Sequence, residues 1–219
     1  KQINKDIRNL VKQLPEEQLN LIDTLYVRNI KIVAIVVAND VIDMSFADKC
    51  DAILYTYNSG QETADAICGI LTGYDNPCAK LVDNLYETKE EAKVVKFPFG
   101  FGLSYTEFKY SPMQVTVAES KEEVRIEVTI TNNGNLSGAE IVQLYIRDKV
   151  GEVVRPVKEL KRFKKIFLEP GLDYAKRQSV DSEANFIMTD MIDQYYEYAD
   201  VIISVNDLFY NPGDNALKI

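Results

Sequence analysis

The stretch Ser59-Gly60-Gln61-Glu62 sets a carboxyl on a short polar loop just ahead of an apolar helical pattern. A carboxyl placed there has two uses. It can serve as an acid or base toward a bound molecule. It can also be the Glu of a Ser-x-x-Glu capping box and hold the helix N-terminus. Other carboxyls stand side by side, Glu90-Glu91 and Glu122-Glu123. Neighbours on a strand point to opposite faces, so Glu122 and Glu123 make a poor acid/base pair. The count of His is zero, which removes the Ser-His-Asp triad, the Cys-His pair and every His-ligated metal. Cys50, Cys68 and Cys78 are odd in number and widely spaced, so they give neither a disulfide framework nor a metal knuckle. They are expected to be small buried thiols. No metal and no cofactor are expected.

Charge narrows the partners. Lys plus Arg is 25 and Asp plus Glu is 34, a net charge of −9. An acidic surface repels phosphate backbones, so no nucleic-acid partner is expected. Trp is absent, so an aromatic platform for a sugar must come from the 13 Tyr or 9 Phe. The longest apolar run, Ile32 to Ala38, is strand length and falls short of the ~18 residues a membrane helix needs. Lys1 to Lys5 lacks the hydrophobic core of a signal peptide. A soluble chain without a membrane partner is expected, with the compartment open. The first residue is Lys, not Met; a fragment, a processed product and a natural degenerate protein are all open readings.

The elements that must hold these groups fall into two parts. Pro15 opens a helix with Glu16 and Glu17 in its first turn, favourable to the helix dipole. Leu19, Ile22, Leu25 and Tyr26 form its apolar stripe. The β-branched run Ile32 to Ala38 predicts a strand covered on both faces. Ala52 to Tyr57 predicts a second one. A second helix starts near Gln61, with Ala64, Ile67, Cys68 and Leu71 on its apolar side and Gly73 placed to end it. Helix, strand, strand, helix implies a parallel sheet flanked by helices. Two strands and two helices cannot cover all their apolar faces and edges, so further strands or a partner are expected to complete the unit.

Residues 83–98 read as a connector, charged and without clear period. Phe97-Pro98-Phe99-Gly100-Phe101-Gly102-Leu103-Ser104-Tyr105 then breaks regular structure and is expected to pack as cement at a domain junction. Val124, Ile126, Val128 and Ile130 alternate with polar residues over one half-buried strand. Asn132-Asn133-Gly134-Asn135 turns the chain, and Ile141 to Arg147 returns with Val142, Leu144 and Ile146 on one side. Further strands are expected over 113–118, 158–168, 172–180 and 199–205. Short strands between turn signals suggest an immunoglobulin- or fibronectin-like β-sandwich. The basic run Lys158, Lys161, Arg162, Lys164 and Lys165 reads as a solvated strand whose charges deter edge pairing.

These motifs, in this order, resemble the C-terminal part of family 3 glycoside hydrolases. Gly60-Gln61-Glu62, Ala66, Leu71-Thr72-Gly73, Asn76-Pro77 and Lys80-Leu81 are similar to the family's C-terminal α/β domain. Phe97 to Thr106 resembles the passage into its fibronectin-like domain. Val142 to Asp148, Arg155 to Leu160 and Leu168 to Gly171 are similar to stretches within that domain. The resemblance implies an α/β plus all-β fold. Residues 1–82 would be a partial α/β sandwich domain, 83–98 a connector, and 99–219 a fibronectin type III-like β-sandwich.

The same resemblance implies hydrolysis of O-glycosyl bonds in β-glucosides or β-xylosides with retention, and Gln61 and Glu62 as substrate-adjacent residues. Retention needs two carboxyls about 5 Å apart. In the family the nucleophile is an Asp on an N-terminal barrel, and the acid/base is a Glu in a loop shortly before the Leu-Pro that matches Leu14-Pro15. Residues 1–15 hold no Glu, and Asp6 is their one acid. No residue of this chain is therefore assigned as catalytic. The chain is expected to be inactive alone and to need an N-terminal barrel domain or a barrel-bearing partner chain, with a β-glucoside or β-xyloside oligosaccharide as the ligand. Two other readings stay open: a non-catalytic module docking on a barrel-bearing partner, and a carbohydrate-binding module using Tyr195, Tyr196 and Tyr198.

Overall fold

The computed structural model describes residues 11–89, 92–117, 124–148, 158–171, 186–188 and 199–203. The chain divides into two compact units, residues 1–72, 81–101 and 206–219 in the first and 73–80 and 102–205 in the second. Strands outnumber helices throughout.

In the first unit, Pro15 stands at the N-cap of helix α1 (Glu16–Val27), one place earlier than expected, with Glu16 and Glu17 in the first turn. Leu19, Ile22 and Leu25 pack on the core, whereas Tyr26 is 54% exposed and leaves the stripe. Strand β1 (Val33–Val37) pairs in parallel with β2 (Ala52–Thr56), Val33 opposite Ala52 and Val37 opposite Thr56. Between them a short turn of 3-10 helix spans Ala47–Lys49. The core lies on one side of this pair, where Ala34, Val36, Ile53 and Tyr55 meet Met44, Phe46 and Leu85. The expected cover on both faces is not found. Val33, Ile35 and Val37 are 53%, 44% and 53% exposed, because residues two apart on a strand share a face and no element among the described residues of the unit layers over this one.

Helix α2 (Thr63–Leu71) follows, and Gly73 ends its turn at φ 73°. Its expected apolar side is largely in solvent: Cys68 is exposed and Leu71 is 47% exposed. The stretch 83–98, read as a connector, forms a hairpin. Strand β3 (Leu85–Lys89) pairs antiparallel with β4 (Ala92–Phe97). Met44 N–H donates to Tyr86 O at 2.7 Å, joining the hairpin to the segment after β1. The Phe97 and Phe101 rings stack at 5.3 Å.

The regular elements in the described part of the second unit are all strands. Its strands are β5 (Phe108–Tyr110), β6 (Gln114–Val117), β7 (Val124–Glu127), β8 (Ile130–Asn132), β9 (Gly138–Asp148), β10 (Glu159–Leu168), β11 (Phe186–Met188) and β12 (Ala199–Ile203). They pair antiparallel, in the orders β10-β9-β12, β11-β7-β6 and β5-β8. The single strand expected over 124–130 is two, broken at Val128-Thr129, and Ile126 and Ile130 from either side are fully buried. Val142, Leu144 and Ile146 face the core together with Ile166 and Leu168. The basic strand β10 is the edge of its sheet, the place where charge protects against edge pairing. The strand expected over 172–180 lies outside the described residues, as do Glu90-Glu91, Glu122-Glu123 and Tyr195, Tyr196 and Tyr198.

Candidate functional site

Parallel strands aim their carboxyl ends at one rim, and in open α/β sheets ligands bind outside those ends. Here two loops leave that rim, 38–40 after β1 and 57–62 after β2. They are tied together. Ala38 N–H donates to Thr56 O at 3.0 Å, and Asn58 N–H donates to the Asn39 side-chain oxygen at 2.9 Å. Tyr55 donates its hydroxyl to Asp40 O at 2.8 Å. Burial first, then the neighbouring Tyr57, Asp83 and Asp40, push the Tyr55 phenol up to about 12. Tyr55 is therefore a neutral donor that braces the rim and is not a base.

Gln61 and Glu62 sit on the second loop, both exposed. Gly60 before them adopts φ 83°, a conformation glycine takes without a steric cost. Thr63 donates its hydroxyl to Gly60 O at 2.8 Å, and Glu62 O accepts the first helical bond from Ala66 N–H at 3.0 Å. The expected capping box does not form. Glu62 is itself the N-cap residue and makes no side-chain cap bond, while the Ser59 hydroxyl turns back to Tyr57 O at 3.1 Å. The helix start is held by Thr63, so the Glu62 carboxyl is left pointing into water at the rim.

The buried carboxylates have other duties. Asp43 accepts hydrogen bonds from Gln13 Nε2 at 2.9 Å and Ser45 N–H at 3.0 Å, and from Ser45 Oγ, Thr88 Oγ1 and Lys93 Nζ. Burial alone would raise its pKa, but the bonds from Lys93, Ser45 and Thr88 outweigh burial and hold the carboxyl well below the usual range. Glu87 pairs with Lys89 at 2.6 Å and Lys96 at 3.1 Å. In the second unit, Glu140 pairs with Lys80 at 3.0 Å and accepts from Tyr110 at 3.1 Å, and Lys80 also donates to Gly102 O at 2.9 Å. A general acid at neutral pH needs a raised pKa. Asp43 and the exposed Asp51 both go down, Asp51 through Lys31 and the Ile32 N–H. No group of three or more Cys, Asp and Glu among the described residues could hold a metal.

Sequence reasoning singled out Gln61 and Glu62 as candidates and passed over Asn39, Asp40 and Tyr55, which tie the loops of the rim. The available signal was the Asn39-Asp40 pair directly after the apolar run. It also missed the three lysine-bound carboxylates, whose partners lie 2 to 60 positions away in the chain. Of the cysteines only Cys50 is fully buried; Cys68 is exposed and Cys78 intermediate, and all three are free thiols.

A parallel strand pair with helices, a candidate rim at its carboxyl end, and antiparallel sheets in a second unit define a two-part α/β and β class. Residues 5–105 match the glycosyl hydrolase family 3 C-terminal domain, and residues 140–181 match the fibronectin type III-like domain. The chain belongs to the C-terminal region of glycosyl hydrolase family 3. It is 31% identical over 225 residues to the thermostable beta-glucosidase B of Acetivibrio thermocellus, covering 88% of this chain and 30% of that protein. It is 34% identical over 148 residues to a putative beta-xylosidase of Formosa agariphila, covering 58% of this chain and 20% of that one. The solved β-glucosidase from Erythrobacter marinus superposes with a TM-score of 0.68 at 27% identity, over 84% of this chain and 26% of that structure. The chain thus spans under a third of the length of these relatives. No helix among the described residues is long and apolar enough to cross a membrane.

Proposed function

We propose that this chain is the C-terminal portion of a retaining β-glycosidase acting on β-glucosides or β-xylosides, inactive by itself, with Gln61 and Glu62 beside the substrate once a barrel domain is present. The supporting observation is the state of the carboxyl groups. The buried ones are bound to lysines, and Glu62 faces water from a braced loop. A carboxylate beside an amide on such a rim suits hydrogen bonds to sugar hydroxyls. The domain assignment follows: a partial α/β sandwich over 1–82 and a fibronectin type III-like β-sandwich over 99–219. Fusing this chain to the barrel domain of a family relative gives the test. Glu62→Ala in the fusion is expected to raise KM for an aryl β-glucoside about tenfold with little change in kcat, since it removes ground-state contact. An unchanged KM would remove Glu62 from the site.

A second reading has its own support. The uncovered face of Val33, Ile35 and Val37 is the kind of apolar surface a partner covers. The chain then works as a non-catalytic module docked on a barrel-bearing partner. Co-purification with a separate barrel chain would support this reading, and a monodisperse monomer in its presence would count against it.

A further inference from the structure

The segment 73–80 holds Asn76 and Lys80, both within the second unit. Asn76 is fully engaged. Its side-chain oxygen accepts from Ser104 Oγ and Tyr105 N–H, each at 2.8 Å, and its amide donates to Ser137 O at 3.1 Å. Gly138 lies so close that a Cβ there would come within 2.6 Å of the Asn76 amide nitrogen. One side chain thus ties two stretches of chain, 104–105 and 137–138, to its own. Beside this fixed point the unit opens into a groove of about 680 Å³.

The groove walls carry Tyr74, Tyr105, Leu136 and Phe167, with Asp75 and Lys165 among them. Tyr74 is 88% exposed and Phe167 53%. Large rings usually bury their faces. Here they border a groove whose backbone Asn76 ties together. Asp75 and Lys165 carry −1 and +1, a sum of zero, which favours an uncharged ligand. The volume falls in the range of small-molecule sites, and apolar faces with a few polar groups are their usual make-up. A neutral sugar ring meets these terms: its C–H face lies on an aromatic ring, and its hydroxyls reach Asp75 and Lys165 at the edge.

We propose that this groove is an ancillary carbohydrate-binding site for neutral β-linked gluco- or xylo-oligosaccharides, separate from the rim at Gln61 and Glu62. The ligand class rests on the β-glycosidase reading; the site itself rests on the groove. Gel electrophoresis through soluble mixed-linkage β-glucan, arabinoxylan or α-linked dextran tests it on the 219-residue chain. β-Glucan or arabinoxylan is expected to retard the chain, and Tyr74→Ala and Phe167→Ala each to weaken that binding about tenfold. Tyr26→Ala, at a ring as exposed as Phe167 but on α1, is expected to bind as the wild type does. Both groove residues stand in solvent, so an unchanged melting temperature will separate lost binding from lost fold. No retardation by either β-glycan, or equal retardation of both groove variants, would overturn the site. Equal retardation by dextran would overturn the ligand class. The readout needs no turnover, so its failure and a failure of the glycosidase reading are separate results.

Discussion

At the scale of single residues, the acids of this chain divide by burial. Asp43 is buried with five donors around it, and Lys93 is buried beside it. Breaking such a pair leaves an uncompensated charge, so Lys93→Met is expected to cost about 3–5 kcal/mol in urea unfolding. A cost under about 1 kcal/mol would mean that the pair is dispensable. The same carboxyl sets an acid response. Its folded-state pKa lies below the ordinary 3.8, so its contribution is fully present above that pH and is lost as pH falls below it toward the folded-state value. Stability measured from pH 5 down to 2 is expected to fall less steeply in Asp43→Asn than in the wild type; identical slopes would refute the assignment. None of this was legible in the sequence, because Asp43 and Lys93 are 50 positions apart and neither belongs to a motif.

At the scale of elements, periodicity carried the β unit well. Val142, Leu144 and Ile146 alternate in sequence and are buried together in β9. The hairpin β3-β4 was hidden because Glu87, Lys89, Lys93 and Lys96 break up its apolar residues. All four are used in ion pairs within the hairpin or with its neighbours. The turn at Asn132 was legible, but its mechanism was not. Asn132 is fully buried, with its oxygen accepting from Thr106 Oγ1 at 2.7 Å and Gly134 N–H at 3.1 Å. Its amide donates to Leu136 O at 2.7 Å and Leu168 O at 3.1 Å. Asn132→Leu keeps the branched outline but strands two carbonyls and two donors, and is expected to cost about 1–3 kcal/mol or more on thermal or urea unfolding. The apolar run of β1 predicted two covered faces, and one is open. Ile35→Lys on that face is expected to change the stability of the isolated chain by less than about 0.5 kcal/mol, yet to abolish capture by a barrel-bearing partner. A large loss of stability would show that the face is covered within the chain.

At the scale of the whole molecule, the family was readable from ordered motifs while the activity was not. Gly60-Gln61-Glu62 and Asn76 to Leu81 are local signatures, and the structure gives each a local role: a braced rim, a fixed groove and a buried Lys80–Glu140 pair. Catalysis depends on two carboxyls brought together in space, and the three buried acids described are each held by a lysine. The most direct measurement is hydrolysis of aryl β-glucosides and aryl β-xylosides by the purified 219-residue chain. We predict no release of the aryl group above the uncatalysed rate from pH 4 to 8, for the wild type and for Glu62→Ala alike. Turnover by the wild type that disappears in Glu62→Ala would contradict the account and make Glu62 a catalytic residue.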